Sequence, residues 1–126
     1  MLRDSPLYAY FPASDLERAR RFYENTLGLV PTSVNNGGVT YAFAGGTAAF
    51  LYVTSNAGSS RASQAFWAVA DVDREIAELK GRGVVFEHYD GMPGERSPEG
   101  AVVAGGAKAA WFKDSEGNTL AIVQTL

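Results

Sequence analysis

Cysteine is absent from the 126-residue sequence, and histidine occurs only at position 88. Without cysteine, the chain cannot form disulfide bonds, use a thiolate nucleophile or bind zinc through sulfur. His88 lies near the end of a predicted strand, and a lone titrating side chain is weak evidence for catalysis. We interpret it as a surface or loop residue rather than as a catalytic acid or base.

Long hydrophobic runs and clusters of basic residues are also missing. No apolar stretch approaches the roughly 20 residues needed to cross a bilayer, and the first ten residues do not resemble a secretory signal. The net charge is -3, and no run of Lys and Arg provides the positive surface that a phosphate backbone requires. We therefore expect a cytoplasmic protein that has neither a membrane nor a nucleic acid as its partner.

The remaining composition is typical of a globular domain. Hydrophobic residues make up 46% of the chain and charged residues 20%, and 126 residues are enough to bury one sizeable core. The sequence thus predicts a single domain over residues 1–126.

The first half of the chain predicts a strand, a helix and three more strands. Alternating apolar and polar residues over 7–11 indicate the first strand, and "ASDLERARRFYENTLGL" has apolar residues at helical spacing. Ser14 and Glu17 form a capping-box pattern at the start of this helix, and Gly28 is a natural stop. The three later strands are predicted around 30–35, 39–44 and 47–54.

The second half repeats this order. The segment "SQAFWAVADVDREIAELKGRG" predicts a strand and a helix whose N-cap is Asp71, at an offset of 56 residues from Asp15 (from 15 to 71). We therefore expect two modules, at about 5–56 and 61–126. The later strands are predicted around 84–89, 108–113 and 119–124, with a long loop over 90–106.

The last two predicted strands form a hairpin around the turn "DSEGN". Closing this turn symmetrically pairs Lys113 with Thr119, which places Trp111 opposite Ala121. Because cross-strand partners share one face of a sheet, the indole of Trp111 is expected to lie beside Ala121, on the face away from the helices.

Three segments, "DLERARRFYENTLGL", "AVADVDREIAELKGRGV" and "AAWFKDSEGNTLAIVQ", resemble the first helix, second helix and closing hairpin of the vicinal oxygen chelate superfamily. This superfamily includes glyoxalase I, bleomycin-resistance proteins and extradiol dioxygenases. The resemblance implies an α+β fold of two strand-helix-three-strand modules. Their sheets form a curved trough, with helices on its convex side and ligands bound on its concave side.

The resemblance also implies where a metal would be bound. Enzymes of the superfamily hold a divalent metal with two histidines and a glutamate, and these positions correspond here to Tyr8, Gln64 and Ala121. Alanine has no donor atom, and a phenol and a carboxamide are poor substitutes for two imidazoles. We therefore expect no metal and no other cofactor.

Strand parity predicts the residues that face the ligand side of the sheets. An aromatic surface with a few hydrogen-bonding groups suits a planar or partly apolar small molecule. The alternative is that these rings fill a closed core or a dimer interface. The predicted ligand-binding residues are Tyr8, Tyr10, Gln64, Phe66, Trp111 and Ala121.

These features favour a metal-free binding protein, similar to the bleomycin-resistance branch, for an apolar or aromatic compound. A second hypothesis is a metal-independent lyase or isomerase that uses Tyr8 or Tyr10 as an acid or base, with Gln64 orienting the substrate. A metal-dependent lyase or dioxygenase is disfavoured because all three donors are missing. The resemblance further implies a homodimer. The 90–106 loop is equally compatible with a lid over the ligand and with an exposed connection.

Overall fold

The structure is a computed structural model that describes all residues, 1–126. It contains one sheet of four strands, one sheet of five strands and two α-helices, which confirms the predicted α+β class. The chain divides into two compact units. Unit 1 comprises residues 1–60 and 115–118, and unit 2 comprises residues 61–114 and 119–126.

The sheet of unit 1 has the strand order β1-β4-β3-β2, in which β1 runs parallel to β4 and the other pairs are antiparallel. The predicted strands are all present, with ends that differ by no more than two residues. Their bounds are β1 (Tyr8–Ala13), β2 (Pro31–Asn35), β3 (Gly38–Ala42) and β4 (Ala48–Val53).

The helix of unit 1 begins one residue later than the capping-box pattern predicts. Helix α1 (Leu16–Arg21) continues into a π-helical turn (Phe22–Thr26), and its N-cap is Asp15, whose carboxylate accepts a hydrogen bond from the Arg18 N–H. The predicted box of Ser14 and Glu17 is therefore wrong. Asp15 can accept from the backbone two or three residues ahead, which is what an N-cap does, and this fixes the start of the helix.

The sheet of unit 2 has the order β5-β9-β8-β7-β6. The strand bounds are β5 (Ser63–Ala68), β6 (Glu95–Arg96), β7 (Val102–Ala104), β8 (Ala107–Lys113) and β9 (Thr119–Thr125). Helix α2 (Val72–Gly81) has the predicted N-cap, because Asp71 accepts from the Arg74 N–H. The predicted hairpin register is also confirmed, with Lys113 paired with Thr119 and Trp111 paired with Ala121.

Two predictions for unit 2 are wrong. Residues 84–89 form no strand, although Phe86 makes an isolated bridge to Phe112 and the Glu87 N–H donates to the Trp111 carbonyl. The reason is that β7 already occupies the same edge of β8 over Ala107–Ala109. The long loop over 90–106 is consequently not structureless, since it contains β6 and β7.

Each helix covers one face of its own sheet with an apolar core. In unit 1 the rings of Phe11 and Tyr23 stack with centroids 4.7 Å apart, and both side chains are buried. In unit 2 Trp67 stacks on the buried Phe112, with centroids 6.3 Å apart. Neither helix has the length and apolar character that crossing a membrane requires.

Candidate functional site

The sheet face of unit 1 that points away from the core carries a group of aromatic rings. Along β1, Tyr8 and Tyr10 are 55% and 65% exposed, whereas Phe11 is buried on the opposite face. The Tyr10 ring packs edge-to-face against Tyr52 at 5.0 Å and against Phe50 at 6.2 Å. Alternation along the strand places Tyr8 and Tyr10 on this face, and packing on Phe50 and Tyr52 supports the Tyr10 ring there.

The corresponding face of unit 2 carries a row of three predicted site residues on adjacent strands. Phe66 pairs with Ala121, and Ala121 pairs with Trp111. Phe66 is 63% exposed, Trp111 is half-buried, and Ala121 is 2% exposed. The small methyl group of Ala121 therefore lies on the strand between the two that carry the rings.

Gln64 is also in unit 2 and is exposed, at the point where the pairing of β5 with β9 shifts register between Ser63 and Ala65. The structure thus brings Phe66, Ala121 and Trp111 together as neighbours, with Gln64 two residues before Phe66 on the same strand. Tyr8 and Tyr10 form part of the unit 1 face.

Two recesses in unit 2 share Trp111 as a wall. The first has a volume of about 250 Å³ and is almost entirely apolar. It is lined by Met92, Pro93, Val102, Ala104, Ala107, Ala109 and Trp111. An apolar recess with a half-buried indole as one wall offers a flat molecule contact on more than one side.

The second recess has a volume of about 240 Å³ and lies among residues 86–91, β8 and the segment over 96–102. The Tyr89 ring meets Trp111 edge-to-face at 5.7 Å. His88 and Arg96 both line this recess. This recess was missed from the sequence alone, and the signal that could have found it is the charged stretch "FEHYDG", which overlaps the start of the long loop.

Glu116 is the most strongly perturbed carboxyl group in unit 1. Its side chain is fully buried and accepts hydrogen bonds from the backbone N–H groups of Ser14 and Asp15 and from the Ser115 hydroxyl. The Arg18 guanidinium donates to it at 2.8 Å. The hydrogen bonds from Arg18 are the main cause that lowers the pKa of Glu116 to about 2.

Asn118 completes this arrangement in unit 1. Its amide donates to the Pro12 carbonyl at 2.7 Å, and its side-chain oxygen accepts from the Gly58 N–H at 3.0 Å. The turn residues 115–118 thus hydrogen-bond both the end of β1 and the start of α1. These contacts position the strand that carries Tyr8 and Tyr10.

In unit 2, Asp73 on α2 plays a comparable part for the segment that leads into β7. Its carboxylate accepts from the Ser97 hydroxyl, from the Glu99 N–H and from Lys108 at 3.3 Å. The hydrogen bond from Ser97 is the main cause that lowers the pKa of Asp73. The wall of the second recess near Glu99 is therefore attached to a helix.

Comparison with known proteins decides the family. The family model of the glyoxalase/bleomycin resistance protein/dioxygenase superfamily matches residues 7–122, which is nearly the whole chain. The chain belongs to this superfamily. A search of curated protein sequences gives no significant match.

Several solved structures of the superfamily fold are similar to this chain. TnmS3, an antibiotic binding protein from Streptomyces sp. CB03234, is 25% identical with a TM-score of 0.71, over 96% of this chain and 95% of that chain. A glyoxalase/bleomycin resistance protein from the same strain is 25% identical with a TM-score of 0.66, over 94% and 98%. UcmS2 shares the fold at 15% identity with a TM-score of 0.74, over 94% and 96%.

The residues at the metal-donor positions of superfamily enzymes do not form a donor set here. Tyr8 in unit 1 supplies a phenol, Gln64 in unit 2 a carboxamide, and Ala121 in unit 2 a methyl group. No group of three or more His, Cys, Asp or Glu side chains is arranged to hold a metal ion elsewhere in the chain. The side chains present do not fit the metal that the superfamily enzymes use.

Proposed function

We propose that this protein binds a small apolar or aromatic compound, such as an antibiotic, and that it does so without a metal ion. The contacts are supplied by Tyr8, Tyr10, Gln64, Phe66, Trp111 and Ala121. Binding requires a shaped aromatic surface but no reacting group. The exposed sheet face of each unit carries such aromatic rings.

The observation that carries the proposal is the exposure of aromatic rings at and beside the positions that correspond to the metal donors of superfamily enzymes. Tyr8, Tyr10 and Phe66 are each more than half exposed in the chain. Within unit 1, Tyr10 lies together with Phe50 and Tyr52 on the exposed sheet face, and a contiguous exposed group of rings is typical of a surface that a ligand or partner covers. The two recesses beside Trp111 give such a ligand further apolar contact.

The similarity to TnmS3 supports a binding role, because that protein is described as antibiotic binding and aligns with almost the full length of both chains. Rings supply large contact areas at low cost in side-chain entropy, and the amide of Gln64 provides a hydrogen-bonding group to orient a ligand.

The proposal is tested by screening planar natural products and antibiotics for a rise in melting temperature, followed by calorimetric titration of each hit. Binding to the folded state stabilises it by mass action. We expect Trp111→Ala and Tyr10→Ala each to weaken binding by about 10-fold to 100-fold, since truncating a buried contact ring costs about 1.5–3 kcal/mol. The control is Val85→Ala, which removes an 82% exposed side chain outside both faces. Hits with unchanged affinity in both variants would reject this location.

Metal independence has its own test. Purified protein should contain no stoichiometric manganese, iron, zinc or nickel, because three well-placed donors are missing. Elemental analysis after mild chelation and reconstitution measures this directly, and one tightly bound metal per chain would contradict the proposal.

We also propose that the protein is a homodimer. Two-fold dimers are the commonest oligomers, and a second copy would cover exposed apolar side chains such as Leu7 and Val34. Light scattering at micromolar concentration tests this, and a monodisperse monomer would reject it. The cytoplasmic location stays a prediction from the sequence.

A further inference from the structure

The second recess of unit 2, of about 240 Å³, differs from the aromatic faces because charged side chains line it. It is large enough for a ring with a short side chain. Its apolar walls include Trp111, which it shares with the first recess. A molecule stacked on Trp111 can therefore extend into a charged environment.

Two carboxylates in this recess have no cationic partner within the chain. Glu87 and Asp90 both line the recess, and neither forms a salt bridge. Glu87 is only half-exposed, and its charge acts on the neighbouring Tyr89, where burial first and the Glu87 carboxylate second raise the pKa of the phenol. A partly buried carboxylate without a partner favours the approach of a positive charge.

The other charges in the recess are already engaged. The Glu99 carboxylate lies 3.7 Å from the Lys80 ammonium. The Arg96 guanidinium donates to the carbonyl oxygens of Met92, Gly94 and Glu95. With Glu99 balanced by Lys80, the carboxylates of Glu87 and Asp90 and the guanidinium of Arg96 leave one net negative charge around the recess, His88 not being counted.

The aromatic walls favour the same kind of ligand. Tyr89 and Trp111 meet edge-to-face at 5.7 Å at the border of the recess. A cation within about 6 Å of an aromatic face is attracted by the negative charge above the ring. An ammonium group is therefore favoured both by the rings and by the two carboxylates.

We infer that the recess beside Trp111 binds a protonated amine of the ligand, through Glu87 and Asp90, while the ring of the ligand lies on Trp111. The inference rests on the proposed binding function and narrows it to aromatic compounds that carry a basic amine. Glu87 and Asp90 set specificity, and Trp111 supplies the contact common to all ligands.

Three probes of similar size test the charge preference. Naphthylethylamine is cationic, naphthylpropionamide is neutral and naphthylpropionate is anionic. Each is titrated calorimetrically at low salt and about pH 8, where an ordinary imidazole is neutral and an alkylamine is protonated. We expect the amine to bind about tenfold more tightly than the amide, and the propionate to bind more weakly than both.

Substitutions then assign this preference to the two carboxylates. In Glu87→Gln/Asp90→Asn the advantage of the amine over the amide should fall from about tenfold to less than about twofold, while the affinity for the amide stays the same. The matched control is Glu95→Gln, which removes an exposed charge of the same loop outside the recess and should keep the advantage. Raising the salt concentration should also reduce it.

The outcomes separate this inference from the proposed function. If the amide binds and the amine binds no better, the inference is wrong and the aromatic binding site stands. If the propionate binds best, Arg96 or His88 dominates the recess and the inference is also wrong. If none of the probes binds, the inference is wrong, and the screen of planar natural products and antibiotics decides the proposed function separately. An advantage of the amine that survives in the double variant contradicts the assignment to Glu87 and Asp90.

Discussion

The two units share one plan and differ in the segment after the helix. Asp15 and Asp71 are equivalent N-caps 56 residues apart in the sequence (from 15 to 71), and the same offset relates the exposed rings of Tyr10 and Phe66 (from 10 to 66). In unit 1 the chain returns after the helix as the regular strand β2, at the edge of the sheet. In unit 2 the equivalent place beside β8 is taken by β7, which comes much later in the chain.

This difference shows how a repeated module can gain a recess. Residues 84–89 of unit 2 are displaced from the sheet edge and make a single bridge at Phe86. The displaced segment and the residue after it carry Glu87, His88 and Asp90, which all line the second recess. In unit 1 the exposed sheet face carries Tyr10 packed against Phe50 and Tyr52. In unit 2 both recesses have Trp111 as a wall.

The two units should differ most in how much the groups that cap their helices contribute to stability, and the largest effect is expected at Glu116. Both helices have an aspartate N-cap, but α1 has Glu116 in addition, whereas α2 has only the neutral Gln124, which accepts from the Val72 N–H at 3.0 Å. We expect Glu116→Gln to lower the free energy of unfolding by about 3 kcal/mol, because the neutral amide replaces the carboxylate that accepts hydrogen bonds from Arg18 and from the Ser14 and Asp15 N–H groups. Urea denaturation measures this.

Two variants serve as controls for this prediction. Gln124→Ala in unit 2 should cost only about 1 kcal/mol, the usual value for a neutral hydrogen bond. Glu17→Gln, at an exposed position of α1, should change stability by less than about 0.5 kcal/mol. A larger effect of Glu17→Gln than of Glu116→Gln would reinstate the capping box and contradict the assignment of Glu116.

The second predicted effect is that the contribution of Glu116 to stability depends on pH. The pKa of Glu116 is about 2 in the folded chain, against an ordinary value of 4.5 for a glutamate. A lowered pKa means that its contribution is fully present above pH 4.5 and is lost as the pH falls toward 2. The difference in stability between the parent chain and Glu116→Gln should therefore shrink from about 3 kcal/mol at pH 7 to less than about 1 kcal/mol near pH 2.

The measurement compares denaturation curves of both proteins across this range. Asp73 is shifted in the same direction, but it is present in both proteins and cancels in the difference. A difference in stability that stays constant from pH 7 to the lowest pH at which both proteins fold would show that Glu116 does not carry this charge effect.

The smallest predicted effect concerns the feature that the two units share, an aspartate N-cap on each helix. Asp15→Ala and Asp71→Ala each remove one N-cap hydrogen bond, at 3.0 and 3.1 Å, and should each cost about 1 kcal/mol. Thermal unfolding of the two single variants and of the double variant measures the stability lost at each cap and shows whether the two losses add. If Asp15→Ala is nearly neutral while Asp71→Ala is not, Glu116 alone is sufficient to cap α1.

Local patterns in the sequence predicted much of the fold. The hairpin register that pairs Trp111 with Ala121 follows from turn length and strand parity. The N-cap at Asp71 follows from an aspartate that directly precedes apolar residues at helical spacing. The capping box of Ser14 and Glu17 failed because the acidic group that accepts from the cap N–H is Glu116, which lies 101 residues away from Asp15 in the chain. No local pattern contains such a contact.

The candidate site was predictable only in part, for a similar reason. Parity along β1, β5, β8 and β9 is a local property, and Phe66, Ala121 and Trp111 do lie together. The second recess depends instead on competition between two segments for one sheet edge. Alternation of buried Val84, exposed Val85 and buried Phe86 resembles a strand, yet β7 holds the edge. Sequence patterns placed His88 at the surface or in a loop, without a link to any recess.

The two tryptophans lie in different surroundings, so each can serve as an intrinsic fluorescent probe. Trp111 is half-buried and lines both recesses of unit 2, and Trp67 stacks on Phe112 at the core side. Indole emission responds to the polarity and quenchers around the ring, so Trp67→Phe leaves a fluorophore that senses arrival of a ligand. The reciprocal change Trp111→Phe leaves one that senses loss of core packing. Occupancy and unfolding can therefore be followed at separate indoles, without an added dye.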